Sequence, residues 1–300
     1  MKSKYINLFT DFGFKKIFGE EASKPMLIDF LNNLLPDINI VNLSLKNKEM
    51  LSKTAQDRKA VYDIYCENDK GEKIIVELQK AKQNYFKDRT IYYSTFPIQE
   101  QAEKGDWDYK LKAVYCVGIL DFTFEDKFNE IEKEVVHTVV LKDQNNQQFY
   151  DKLKFVYLEM PNFSLTEKKL KTRLDKWLYF IKNLEKLESI PAIFKDKIFK
   201  QAFDKAEIAK YSVQEQTDYE ASLKTYRDLK GVIDTAFDEG KLEGKLEGKL
   251  EGKLEGKLEG KLEGKLEEKY ATAKLMKAEG EPLQKIIKFT GLSKEVISKL

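Results

Sequence analysis

The chain has 300 residues, 42% of them hydrophobic, enough for one ordinary domain with appendages and a sizeable buried core. Its 53 basic and 51 acidic residues leave a formal charge of only +2, which excludes a protein that attracts nucleic acid by its overall charge; any basic track must be local. No run approaches the roughly 18 apolar residues of a membrane span, and the N-terminal MKSKYINLFTDFGFKK lacks the apolar stretch of a signal peptide, so the sequence predicts a soluble, cytoplasmic protein with no membrane partner.

Residues 1–185 read as a mixed α/β domain. Met26, Leu27, Phe30, Leu31, Leu34 and Leu35 recur at helical spacing, and Pro36 stops that helix. Strand-like runs follow at 38–46, 59–67 and 73–80. A helix with an aromatic stripe comes next (Tyr85, Phe86, Tyr92, Tyr93 and Phe96), bent or interrupted at Pro97. Further strands are predicted at 112–122, 135–141 and 155–160, then a helix that begins after Thr166 and contains WLYFI at 177–181. The resulting order is α, β, β, β, α, β.

Residues 186–239 read as a charged helical region without a clear second core. From Gly240 to Glu267 the tetrapeptide GKLE occurs seven times. A four-residue period advances about 40° per repeat against a 3.6-residue helix, so the leucine stripe winds around it. Lysine faces lysine and glutamate faces glutamate at i,i+4, and each glycine costs roughly 1 kcal/mol relative to alanine. The repeat therefore reads either as a flexible or marginally helical spacer or as a coiled-coil-like helix that makes a homo-oligomer. Residues 268–300 read as a small helical element resembling a helix-turn-helix, with breaks at Gly280 to Pro282 and at Thr290 to Ser293. Its last helix offers only Lys294 and Lys299 as basic side chains, which favours an interaction or capping element over a DNA reader.

Cys66 and Cys116 sit far apart in apolar runs and, with the single His137, have no zinc-site spacing; they read as reduced core thiols. Arginine is scarce, and Arg58, Arg89, Arg173 and Arg227 are each worth tracing.

The chemistry concentrates in residues 60–80. The turn signal Asn68 to Gly71 makes this segment a hairpin, with Asp69, Lys70 and Gly71 as a three-residue loop and Gly71 in the left-handed conformation. Paired positions then sum to 140, which places Asp63 opposite Glu77, with Gln79 on the same face as Glu77. Two facing carboxylates on apolar strands repel unless a hard cation such as Mg²⁺ joins them or both are solvated on an open sheet face.

The spacing from Asp63 to Glu77 and Gln79, set in the αβββαβ order, resembles the PD-(D/E)XK nucleases. More narrowly, the chain is similar to the bacterial PD-(D/E)XK nuclease family transposases, or recombination-promoting nucleases. The matching stretches are DFGFKKIF at 11–18, LIDFLNN at 27–33, VYD at 61–63, VELQ at 76–79, Arg89 to Tyr93, Gln101 to Tyr109 and WLYF at 177–180. The resemblance implies a restriction-endonuclease-like α/β core with a helical C-terminal extension. It also implies Mg²⁺- or Mn²⁺-dependent hydrolysis of DNA, linked to recombination, mobile elements or defence against foreign DNA.

Carried over by position, Asp63, Glu77 and Gln79 are the catalytic residues. Asp63, Glu77 and the backbone carbonyl of Leu78 are the metal ligands, and Gln79 replaces the superfamily's more common lysine. Asp11 either adds an acidic group from the first helix or is an ordinary helix-start residue. Arg89 with Tyr93 is a candidate phosphate contact, or a surface ion pair, and Lys80 and Lys82 either line a phosphate track or are solvated background. The competing class of function is a non-catalytic nucleic-acid-binding or scaffold protein on a degenerate nuclease fold.

Overall fold

The computed structural model describes residues 3–46, 49–50, 60–102, 105, 107–124 and 134–300. Arg58 and the Lys59 end of the second predicted strand run lie outside the described residues. The chain forms two compact units, Met1–Gly231 and Val232–Leu300.

The first unit opens with α1 (Asp11–Phe18), capped by the Thr10 hydroxyl, which accepts the Gly13 N–H at 3.0 Å. α2 (Lys24–Leu34) buries the apolar stripe read from the sequence and ends before Pro36. The strand run expected at 38–46 shrinks to β1 (Leu43–Leu45). The Asn32 side chain both accepts from the Ile40 N–H at 2.8 Å and donates to its carbonyl at 2.9 Å, so that stretch is tied as a loop against α2 instead of joining a ladder.

β2 (Glu49–Met50) and β3 (Ala60–Val61) form a separate antiparallel pair. The sheet continues with β4 (Ile64–Asn68) and β5 (Lys73–Gln79), then α3 (Phe86–Gln99), β6 (Val114–Leu120), β7 (Val136–Lys142) and β8 (Gln148–Glu159). Among the described residues the strands run in the order β1-β4-β5-β6-β8-β7, with β5, β6 and β8 parallel and the other pairs antiparallel. The αβββαβ core is therefore present, and the fold is that of a PD-(D/E)XK nuclease. β8 starts seven residues before the predicted Phe155, because its first half is polar and half-exposed and carries no strand-like alternation. Tyr85, expected inside the aromatic helix, is its left-handed N-cap residue, and the helix continues through Pro97.

The sheet buries both faces. Ile74, Val76 and Leu78 of β5 face the main core with α1, α2 and the later helices, whereas Ile75 faces a smaller core under α3 with Tyr62, Tyr65, Phe86, Cys116 and Tyr157. α4 (Arg173–Asn183) begins later than Thr166. Its start is set by a capping box between Thr172 and Asp175, and 167–169 form a separate 3₁₀ turn.

The expected edge at residue 185 falls inside this unit. α5 (Lys197–Ala206) buries Phe199, Ala202, Phe203 and Ala206 completely against Trp177 and Phe180, and the first turns of α6 (Val213–Ala278) add Tyr219 and Tyr226. The charged positions of α5 sit on its outer face, which masked its contribution to the core.

In the second unit the GKLE repeat is part of α6, so the flexible version of the spacer gives way to a helix. Lys, Leu and Glu are strong helix formers and outweigh the glycines, around whose Cα positions no atom lies within 4 Å of an added Cβ. α7 (Leu283–Thr290) and α8 (Lys294–Lys299) pack with the end of α6 around Ala273, Ile286, Leu292 and Ile297. Left-handed Gly280 and Gly291 supply the two helix stops, and Ser293 caps α8. No helix of the described residues is long and apolar enough to cross a membrane.

One polar knot ties α2, α4 and the start of α5 together. The Asp29 carboxylate accepts Arg173 Nε on both oxygens at 2.8 Å and the Trp177 indole N–H at 2.6 Å, while Arg173 Nη2 reaches Asp196 at 3.1 Å. Asp29→Ala leaves a buried indole N–H and a half-buried guanidinium without their acceptor. Urea unfolding is expected to show a loss of about 2–4 kcal/mol; a loss below about 1 kcal/mol would contradict this role.

Candidate active site

The hairpin between β4 and β5 is organised by Asn68. Its Oδ1 accepts the N–H groups of Lys70 and Glu72 at 3.0 and 2.9 Å, its carbonyl accepts Gly71 N–H at 3.0 Å, and Gly71 has φ +79°. This closes the three-residue loop and sets the register Ile64↔Val76, Tyr65↔Ile75, Cys66↔Ile74 and Glu67↔Lys73, each pair summing to 140 as predicted.

The ladder does not continue into Asp63. The chain bends there, and Tyr62 turns under α3, where its hydroxyl donates to the Tyr93 carbonyl at 2.9 Å and its ring meets Tyr93 edge-on. A different pairing replaces the ladder. The Asp63 carboxylate accepts the Leu78 N–H at 2.7 Å, and the Asp63 N–H donates to the Glu77 carboxylate at 3.2 Å. Each residue thus binds the strand of the other, and the two carboxylates are drawn together at the point where β5 leaves the hairpin.

Both carboxyl groups are held above their ordinary range. For Glu77 the causes are burial first, then the Asp63 charge, and together they push it to about 8. Burial also raises Asp63, opposed by the Leu78 N–H. The α3 side of Glu77 explains the desolvation: it borders a cavity of about 20 Å³ walled by Ile75, Phe86, Tyr93, Cys116 and Tyr157. The same burial raises the Cys116 thiol, with the Glu77 charge adding to it. Cys66 and Cys116 are both buried free thiols.

The remaining predicted residues surround this pair to different degrees. Gln79 lies two residues beyond Glu77, nearly buried at 8% exposure, with its Nε2 near the Ala81 carbonyl at 3.3 Å. Leu78 is placed against Asp63 by its N–H. Arg89 stacks over the Tyr93 ring at 4.8 Å and donates to Gln83 at 2.8 Å, and its charge is felt at Glu77. Lys80 is felt at Asp63, while Lys82 sits exposed further along the chain. Asp11 is exposed at the start of α1, ion-paired with Lys15 at 2.8 Å, and its charge bears on Asp63.

Lys15 acts on both Asp63 and Glu77 and was not singled out by the sequence reading, although its i,i+4 spacing from Asp11 on a helix was visible. Among the described residues no group of three or more His, Cys, Asp or Glu side chains is arranged to hold a metal, so the donors are the two carboxylates and adjoining backbone. Two convergent, mutually repelling carboxylates form a hard-oxygen set that suits Mg²⁺, which takes one or two carboxylates and completes its shell with water and phosphate oxygens.

Between the ordinary glutamate value of 4.5 and about 8, folded Glu77 keeps a proton that the unfolded chain has released. The unfolded state then binds fewer protons, so stability falls as pH rises through that window. Metal-free protein is expected to lose on the order of 3 kcal/mol of unfolding free energy from about pH 4.5 to pH 8.5 through this group. Glu77→Gln should flatten the profile in denaturant titrations; an unchanged slope in that variant would show that Glu77 is not the group responsible.

No curated protein and no solved structure matches the chain significantly. A family model described as PD-(D/E)XK nuclease family transposase matches residues 8–236, which spans the whole sheet, the Asp63 and Glu77 pair and the helices packed behind it. The match ends close to Gly231, the last residue of the first unit. By this match and by its fold, the chain belongs to the PD-(D/E)XK nuclease family transposases.

Proposed function

We propose that the protein is a metal-dependent DNA endonuclease of the cytoplasm, with Asp63, Glu77 and Gln79 as its catalytic residues. The observation that carries this reading is the reciprocal clasp of Asp63 and Glu77, which holds two repelling carboxylates together at a sheet position with no cation in reach except exposed side chains. A fold gains nothing in stability from such a pair; a cation site does. Free, buried Cys66 and Cys116 suit a reducing compartment. Recombination, mobile-element movement or defence against foreign DNA is the setting that the family suggests.

Asp63 and Glu77 would hold the cation, with the Leu78 carbonyl beside them. A divalent ion there would offset the charge of the scissile phosphate and make a water more acidic. Hydrolysis adds water oxygen to phosphorus, breaks one phosphorus–oxygen ester bond and returns the proton to the leaving sugar oxygen. Gln79 orients the water by accepting from it, and donates through Nε2 to a phosphate oxygen. Arg89, braced by Tyr93 and Gln83, takes a phosphate oxygen by its planar fork. Lys80 and Lys82 extend a local positive track along the strand exit.

Supercoiled plasmid should be nicked by purified protein with Mg²⁺ or Mn²⁺ and not with EDTA. Asp63→Ala and Glu77→Ala are each expected to abolish nicking without loss of folding stability, since each removes one of two repelling carboxylates. Plasmid left intact by the wild type under all metal conditions would favour a non-catalytic nucleic-acid-binding protein on this fold. For Gln79, single-turnover rates should fall on the order of 10²–10³-fold in Gln79→Ala, the scale for one positioned donor, and stay substantial in Gln79→Lys. A near-wild-type rate in Gln79→Ala would remove Gln79 from the mechanism.

A further inference from the structure

The DFGFKK segment at 11–16 is only partly used by the account above. In α1, Gly13, Phe14, Ile17 and Phe18 are buried in the main core, which leaves Asp11 and Lys15 on the outward side one turn apart. The two neighbouring lysines have different tasks. Lys16 is committed to the fold, bridging Glu215 at 2.7 Å and Glu20 at 3.2 Å, and so joins α1 to α6. Lys15 is ion-paired with Asp11 at 2.8 Å and retains 39% side-chain exposure. Its charge reaches both members of the carboxylate pair, whereas Lys80 acts on Asp63 and Arg89 on Glu77.

A phosphodiester entering this site adds negative charge next to Asp63, Glu77 and Asp11, and the charge on phosphate oxygens grows as the water adds. Gln79 supplies hydrogen bonds and no charge. We infer that Lys15, presented by α1 and steadied by Asp11, is the ammonium group that faces the scissile phosphate in this site, with Asp11 as its positioning residue. The inference rests on the hydrolase reading. It also gives Asp11 a role other than metal ligand. An ammonium is a compact point charge on a flexible stem, which fits a group that must follow a phosphate moving through a change of geometry.

Metal affinity and cleavage together test it. Mn²⁺ binding, followed by calorimetry in the absence of DNA, should tighten about three- to tenfold in Lys15→Ala, because a repelling positive charge is gone, and weaken by a similar factor in Asp11→Asn. General loosening of the site would weaken binding in both. Single-turnover cleavage should fall on the order of 10²-fold in Lys15→Ala and recover to within about tenfold of wild type in Lys15→Arg. An inert wild type overturns the hydrolase reading and this inference with it. A wild type that cuts, together with a Lys15→Ala variant that cuts within about threefold of it or binds Mn²⁺ no more tightly, overturns the Lys15 assignment alone.

Discussion

The crossed hydrogen bonds between Asp63 and the Glu77–Leu78 strand are the constraint from which the rest of the site follows. An antiparallel ladder continued to this point would place Tyr62 opposite Leu78. Instead the Asp63 carboxylate takes the Leu78 N–H, and the Glu77 carboxylate takes the Asp63 N–H. The backbone needs of two strands are met by side chains, and that is what keeps two like charges adjacent. Without the clasp, repulsion and desolvation would separate them.

The surrounding fold exists to hold this arrangement on a stiff base. Below it, the β5 side chains alternate between two buried cores, so the strand carrying Glu77 has no freedom to rotate. On one side α3 covers the smaller core and brings Arg89 with its Tyr93 brace. On the other, α1 is packed through Phe14, Ile17 and Phe18 and brings Asp11 and Lys15. The Asp29, Arg173 and Trp177 knot lies in the helical layer that supports α1 and α2, which gives a structural reason for the LIDF and WLYF stretches far from the chemistry.

Much of this was legible in the residues, and the failures have physical causes. The hairpin register was readable because Asn68 and Gly71 admit essentially one loop geometry, and the apolar alternation agrees with it. The bend at Asp63 was not readable, since it depends on a side chain replacing a ladder bond, which no periodicity records. β8 was truncated because its polar half pairs with β7 at an exposed edge, and β1 was overextended because a single side chain, Asn32, holds the loop before it. The helices after residue 185 were set apart from the core because charge density hid Phe199 and Phe203. In the GKLE repeat, propensity and glycine cost point in opposite directions, and only the folded chain shows that helix formers prevail. The field of Lys15 on the site required knowing that α1 packs beside β5.

The account stands on one claim: Asp63 and Glu77 form a single cation site that keeps a proton until a cation arrives. Calorimetric titration of Mn²⁺ at about pH 7, repeated in buffers of different ionisation enthalpy, measures this directly. The prediction is one saturable site in the wild type, with proton release on binding, and no saturable binding in Asp63→Asn. Binding of equal affinity in that variant, or binding to the wild type without proton release, would contradict it.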